Sequence, residues 1–409
     1  MTRHSAPSAE SEIKPASLVE LLRWRADSLP ERTAYCFLAD GEAEESRITY
    51  AELQSRAQAI AAQLQRAGAE GERALLVYAA GLDYVAAFFG CLYAGVVAVP
   101  AFPPRLNRNA QRLEAMAEDA GASFALTVST LSQRLEATTA QLPRLARLRW
   151  LSTDTVSETL ADEWREPRLN GESLAYLQYT SGSTSTPKGV MITHANVLAN
   201  SEYIRRGFAH TPESVALTWL PHFHDMGLVD GIIQPLYSGF KAILMSPASF
   251  LQRPLRWLEA VTSHRVTHTG GPNFAYDLCV RRTNPEQRAA LDLSSWSVAY
   301  NGAEPVRQET LRRFAEAFDL CGFRPSAFYP AYGLAEATLK VTGGRRGEGA
   351  RVCAVDAAEL ERRRPVGHLG VGGSLGRPAD GVRVRTAPRL RRRIRDGASP
   401  WRHAAGHGP

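Results

Sequence analysis

Residues 74–100 read ALLVYAAGLDYVAAFFGCLYAGVVAVP, and this stretch decides the fold. Its apolar opening, 74–78, predicts a strand. Residues 82–93 predict a helix, and the β-branched run at 96–99 predicts a second strand. The part from 84 to 104 carries no charge and approaches the ~20 residues that a bilayer requires. Gly90, Gly95 and Pro100 interrupt it, however, so a buried helix followed by a buried strand is the better reading.

Working outward, the alternation continues. A helix is expected at 111–120 and a strand at 124–128. Upstream, Ser17-x-x-Glu20 and Thr49-x-x-Glu52 read as capping boxes opening amphipathic helices. Downstream, a second series begins with an apolar run at 174–179. It continues with a helix from about 195, strands near 216–220 and 241–245, and an apolar segment at 231–238. Helices near 254–263 and 308–318 and strands near 298–300 and 327–329 complete it. Strands alternating with helices imply parallel βαβ units with sheets buried on both faces. The expected class is therefore α/β, with two related βαβ-type sheet subdomains.

Composition narrows the possibilities. With 409 residues, 44% hydrophobic and 22% charged, the chain is long enough for a large core and is neither fibrous nor disordered. Its formal charge of +6 suggests a polyanion partner, but the charge is concentrated in one place. Residues 383–409 hold eight arginines against one aspartate, so the remainder is close to neutral and a nucleic-acid role is not expected. That run has neither period 2 nor period 3.6 and reads as a disordered tail. Five scattered cysteines without CxxC spacing fit reduced thiols in the cytoplasm. No secretory signal opens the chain, and no transmembrane segment is expected.

Four stretches carry chemistry. YTSGSTSTPKGV (179–190) combines hydroxyls, glycines and Lys188 between an apolar run and a helix expected near His194. Backbone N–H groups, hydroxyls and one cation make a phosphate nest; Pro187 before Lys188 and Gly189 after it rule out a Walker A loop. WLPHFHDMGLVDG (219–231) sets His222, His224 and Asp225 in one turn. It lacks the further ligands that zinc needs and suits a substrate carboxylate or phosphate as well as it suits satisfied buried polar groups. YNGAEPV (300–306) ends a strand in a glycine turn bearing Glu304, where open α/β sheets bind ligands. FYPAYGLAEAT (328–338) offers Tyr332 beside Gly333, an aromatic for a purine, with Glu336 four residues on from Tyr332 for Mg²⁺.

In this order the four motifs resemble those of the AMP-forming adenylating enzymes, the superfamily of acyl-CoA synthetases, peptide-synthetase adenylation domains and luciferases. The resemblance runs from about 17 to 384 and is strongest to fatty acyl-AMP ligases. It is carried also by GLDYVAAFFGCLYAGVVAVPAFPP, LPHFHDMGLVDGIIQPLYSGF, GGPNFAYDLCVRR and LDLSSWSVAYNGAEPV. It implies ATP-dependent activation of a fatty acid to an acyl-adenylate, with transfer to the phosphopantetheine arm of an acyl carrier protein. It further implies a phosphate grip formed by Thr180, Ser181, Gly182, Ser183, Thr184, Ser185, Thr186 and Lys188. Adenine would lie against Asn301, Gly302, Ala303 and Glu304, with Tyr332, Gly333 and Leu334 beside it. Glu336 would hold Mg²⁺, with Thr184 a second candidate, and His224 would approach the acyl carboxylate. Residues 231–236 and 270–276 would line the acyl tunnel. Residues 341–375 look like the insertion that separates acyl-AMP ligases from acyl-CoA synthetases, the alternative within the class.

The implied domain plan is a tail at 1–16 and an adenylation core at 17–384, divided near 170, followed by the arginine-rich 385–409. The resemblance fades after GRPADGVRV, where a small β-rich unit and a lid domain with its adenylation lysine would follow. The lysines here are Lys14, Lys188, Lys241 and Lys340, none of which lies in a lid. The resulting expectation is a core that binds nucleotide and adenylates slowly or not at all, with a catalytically dead nucleotide- or lipid-binding fragment as the alternative. A frameshift in an arginine-codon-rich gene would produce such a tail.

Overall fold

Alternating apolar runs and helical faces build two sheets. In the computed structural model, residues 14–42, 46–104, 110–180, 187–353 and 362 are described. The first six strands are β1 (Thr33–Leu38), β2 (Ser46–Thr49), β3 (Arg73–Val77), β4 (Val97–Ala101), β5 (Phe124–Thr127) and β6 (Arg149–Ser152). There follow β7 (Leu174–Tyr179), β8 (Gly189–Thr193), β9 (Val215–Thr218), β10 (Lys241–Met245) and β11 (His268–Gly271). The last three are β12 (Val298–Asn301), β13 (Phe328–Gly333) and β14 (Lys340–Gly343).

One sheet has the order β6-β5-β3-β4-β7-β8, parallel except for β8. The other has the order β14-β13-β12-β11-β9-β10-β1-β2, with antiparallel strands only at its two edges. This is the α/β architecture of two related sheets that the periodicity predicts. The sheets do not divide where the chain does near 170. The early strands β1 and β2 join the later sheet, and β7 and β8 complete the earlier one. The expected β-rich unit and the residues from 363 onward lie outside the described residues.

Apart from the exposed Asp83 in its first turn, the helix Leu82–Tyr93 is apolar and buried all round, which a helix does only inside a core. Its Phe88 packs edge-on against Tyr176 of β7, while Tyr84 stacks on His222 with ring centroids 3.9 Å apart. Gly90 does not interrupt this helix. A Cβ there would come within 2.6 Å of Ile60 Cγ2, so the glycine lets the helix Tyr50–Arg66 pack against it. That neighbour opens with the predicted capping box of Thr49 and Glu52. Ser17 caps the helix Leu18–Ser28, accepting from Glu20 N–H, while Glu20 itself accepts from Ala16 N–H. Among the described residues no helix is long and apolar enough to cross a membrane.

Candidate active site

Parallel strands place their carboxyl ends together, and the loops that follow them form one rim. Four strands of the larger sheet contribute: β9 leads into the histidine turn, β11 into Asn273, β12 into residues 302–307, and β13 into the turn bearing Glu336.

Asn273 organises the β12 loop. Its amide donates to Pro305 O at 2.9 Å, and its carbonyl accepts from Arg307 N–H at 3.0 Å. The neighbouring Asn301 is fully buried, yet its Oδ1 has no hydrogen-bond partner. An unpaired buried acceptor at a strand end is costly unless a ligand completes it. Gly302 is required sterically, since a Cβ there would meet Ala331 O of β13 at 2.9 Å. Ala303 takes a left-handed φ of +66°, and it and Glu304 are exposed.

The histidine turn separates the two histidines. His222 is buried beneath Tyr84, with Nε2 unpaired, and burial followed by the nearby His224 lowers its pKa to about 3. It is a neutral packing residue. His224 is exposed, although the groups crowded around its ring lower its pKa through desolvation. Asp225 caps the following π-helix (Met226–Ile233), accepting from Met226 N–H at 2.7 Å. Burial, the largest effect, and the charge of Glu336 raise its pKa, against the Met226 bond and His224. Asp225 and Glu336, 111 positions apart in sequence, both lie in the loops that follow strands of one sheet, β9 and β13. Both are carboxylate oxygen donors, the type a hard divalent cation takes, so the donor chemistry fits Mg²⁺. Glu336 is exposed, as are Gly333 and the ring of Tyr332 (47%), while Leu334 is half-buried.

The hydroxyl-rich loop differs from expectation in one respect. It does not lead into a helix N-terminus, because β8 intervenes. Tyr179 pairs with Gly189 across the hairpin, and the loop closes between them. The helix His194–Phe208 begins only after β8 has run back along β7, roughly 16 Å away at ~3.3 Å per residue. Its first turn is already satisfied by Thr193 and Asn196, and the buried His194 Nδ1 accepts from Leu18 N–H at 3.2 Å. Of the predicted grip, Thr180 is half-buried and Lys188 exposed; Ser181, Gly182, Ser183, Thr184, Ser185 and Thr186 lie outside the described residues.

Gln178, the residue before Tyr179, ties the sheets together at the site. Its amide donates to Phe223 O in the histidine turn at 2.9 Å, and its Oε1 is buried and unpaired. Sequence reasoning missed Gln178, and it gave Asn273 only as part of the 270–276 tunnel segment, not as the organiser of the β12 loop. The only signal for Gln178 was a polar residue inside the apolar run LAYLQY. The proposed tunnel segment is tightly packed: a Cβ at Gly270 would meet Tyr300 O at 2.1 Å, and one at Gly271 would meet Trp219 at 2.7 Å.

Comparison with known proteins matches residues 22–387 to the family described as AMP-binding enzyme. The chain is 53% identical over 355 residues to the medium-chain-fatty-acid–acyl-carrier-protein ligase JamA of Moorena producens, covering 86% of this chain and 60% of that protein. It is 34% identical over 388 residues to the corresponding ligase TtuA of Teredinibacter turnerae, with the same coverages. The chain thus spans about three fifths of the curated relatives it matches. Its fold superimposes on the fatty acid AMP ligase of Legionella pneumophila with a TM-score of 0.80 at 42% identity, over 84% of this chain and 59% of that one. The Legionella enzyme has also been solved with acyl adenylate and pyrophosphate, at the same similarity.

Proposed function

This chain belongs to the AMP-binding enzyme family, and on that premise we propose that it is the core of a fatty acyl-AMP ligase. The reaction joins a fatty acid carboxylate oxygen to the α-phosphorus of ATP and breaks the bond to the β-phosphate oxygen, releasing pyrophosphate. The acyl group then passes to the phosphopantetheine thiol of an acyl carrier protein, and AMP leaves. The observation that carries this reading is the buried, unpaired Oδ1 of Asn301 at the end of β12, on the strand-end rim whose loops also bear the exposed His224, Tyr332 and Glu336.

The residues divide the work by chemistry. Substitution at phosphorus depends mainly on positioning and charge neutralisation. Lys188 and the hydroxyls of the hairpin loop, Thr180 among them, suit the β- and γ-phosphates. Asn301 Oδ1, unpaired and buried, suits an amino group of the base, and the open ring of Tyr332 suits stacking on it. Glu336, with Asp225 and Thr184 as further oxygen donors, would hold Mg²⁺, which when bound offsets charge on the phosphates. His224, kept neutral at pH 7 by its surroundings, approaches the acyl carboxylate without adding charge. A cytoplasmic location accords with five scattered cysteines that lack CxxC spacing.

Binding tests this directly. Titration calorimetry with a non-reactive alkyl-sulfamoyl adenosine, an acyl-adenylate mimic, should show one site. Asn301→Ala should weaken it at least tenfold, while an adenosine-free alkyl sulfamate should not bind detectably. Absence of mimic binding by a folded protein would refute the reading. Fatty-acid-dependent pyrophosphate release then reports whether this chain turns over.

A further inference from the structure

The carboxylate of Glu336 has no hydrogen-bond or ion-pair partner of its own among the described residues, so the turn beneath it sets its direction. That turn is strained. Leu339 N–H donates to Ala337 O at 2.9 Å, and between them Thr338 has φ +70° and ψ −60°. This is the rare classic γ-turn, here adopted by a β-branched residue, a conformation that persists only where its surroundings impose it. Backbone bonds from Leu334 N–H to Leu339 O at 2.9 Å and from Thr338 N–H to Ala335 O at 2.8 Å close the turn from within, and one side chain from the neighbouring helix ties it down. Asn200 Nδ2 donates to Ala337 O at 3.2 Å and Lys340 O at 2.9 Å, and its Oδ1 accepts from Lys340 N–H at 3.1 Å. These bonds bracket Thr338 from both sides.

Two further contacts fix the same hairpin to the same helix. Tyr203, three residues on from Asn200, donates to Val341 O at 3.3 Å. Lys340 is buried, donates to Tyr329 Oη at 2.9 Å, and has its ammonium 4.7–4.9 Å from the ring centroids of Tyr203, Phe208 and Tyr329. The helix involved, His194–Phe208, directly continues β8, the return strand of the hydroxyl-rich hairpin.

We infer that Asn200 is a positioning residue that holds the strained turn at Thr338, so that Glu336 is presented to the divalent cation. The inference rests on the proposed role of Glu336, and its test separates the two. Asn200→Asp is nearly isosteric and keeps the acceptor for Lys340 N–H but loses both donations. Hydrogen exchange in this variant should accelerate at least tenfold in residues 335–340, with residues 201–208 of the helix unchanged. ATP affinity measured by calorimetry should fall about tenfold in Mg²⁺ while staying within twofold in EDTA. Unchanged exchange at 335–340, or an unchanged Mg²⁺ advantage, would overturn the inference, as would acceleration spread over the whole chain. Glu336→Gln is the control: if it retains the full Mg²⁺ advantage, the role of Glu336 itself is wrong, and the exchange result still decides whether Asn200 holds the turn.

Discussion

At the scale of single residues, buried polar groups carry the information. His194 is nearly inaccessible, and burial lowers its pKa to about 4. Its Nδ1 must stay unprotonated to accept from Leu18 N–H. Between pH 6.5 and 4 the unfolded chain binds a proton there and the native state does not, so stability is lost as pH falls through that window. We expect urea denaturation to show the wild type losing roughly 2 kcal/mol at this site between pH 6.5 and 4.5, at 1.36 kcal/mol per pH unit. His194→Asn keeps an acceptor without titrating and should flatten the pH dependence by that amount. An equally steep decline in the variant would assign the loss elsewhere.

At the scale of elements, the π-helix Met226–Ile233 depends on glycine. A Cβ on Gly227 would lie 2.1 Å from Pro221 O, a backbone atom that cannot swing aside, and one on Gly231 would lie 2.7 Å from Thr218 Cγ2. These glycines let the helix sit on the end of β9 and so fix Asp225 at its start. Gly227→Ala should cost about 1–3 kcal/mol as overpacking and weaken the acyl-adenylate mimic by displacing the histidine turn. Gly344→Ala, where a Cβ meets nothing within 4 Å, should leave both within error. Thermal melting and calorimetry on the two variants test the contrast. The element that sequence reading misplaced has a local cause. The short run GVMIT could not be told from a loop or a helix approach by periodicity, and pairing with β7 made it a strand.

At the scale of the molecule, the two sheets share a core between them, and a smaller cluster with Leu75, Val99 and Leu177 lies apart from it on the smaller sheet. A single buried cluster includes Ala74 and Tyr176 of the smaller sheet, Phe88 between the sheets, and Ile243 and Tyr300 of the larger. Unfolding should therefore be one cooperative transition, with far-ultraviolet circular dichroism and tryptophan fluorescence coincident. Phe88→Ala, at a fully buried site, should cost about 3–5 kcal/mol and shift both signals together. A shift in one signal alone would show that the sheets unfold separately.

The sequence by itself determined the alternation of strands and helices, the capping at Thr49, and the four motifs in their order, because periodicity and capping are local properties. It could not determine which strands would be neighbours. Only tertiary structure decided that β1 and β2 join β10, that Gln178 reaches Phe223, and that Asn200 braces the turn beneath Glu336. Asp225 and Glu336 likewise share one rim only because β9 and β13 run parallel in one sheet. Contacts between residues from about 30 to more than 100 positions apart leave no periodic trace; packing geometry sets them, and the candidate site is built largely from such contacts.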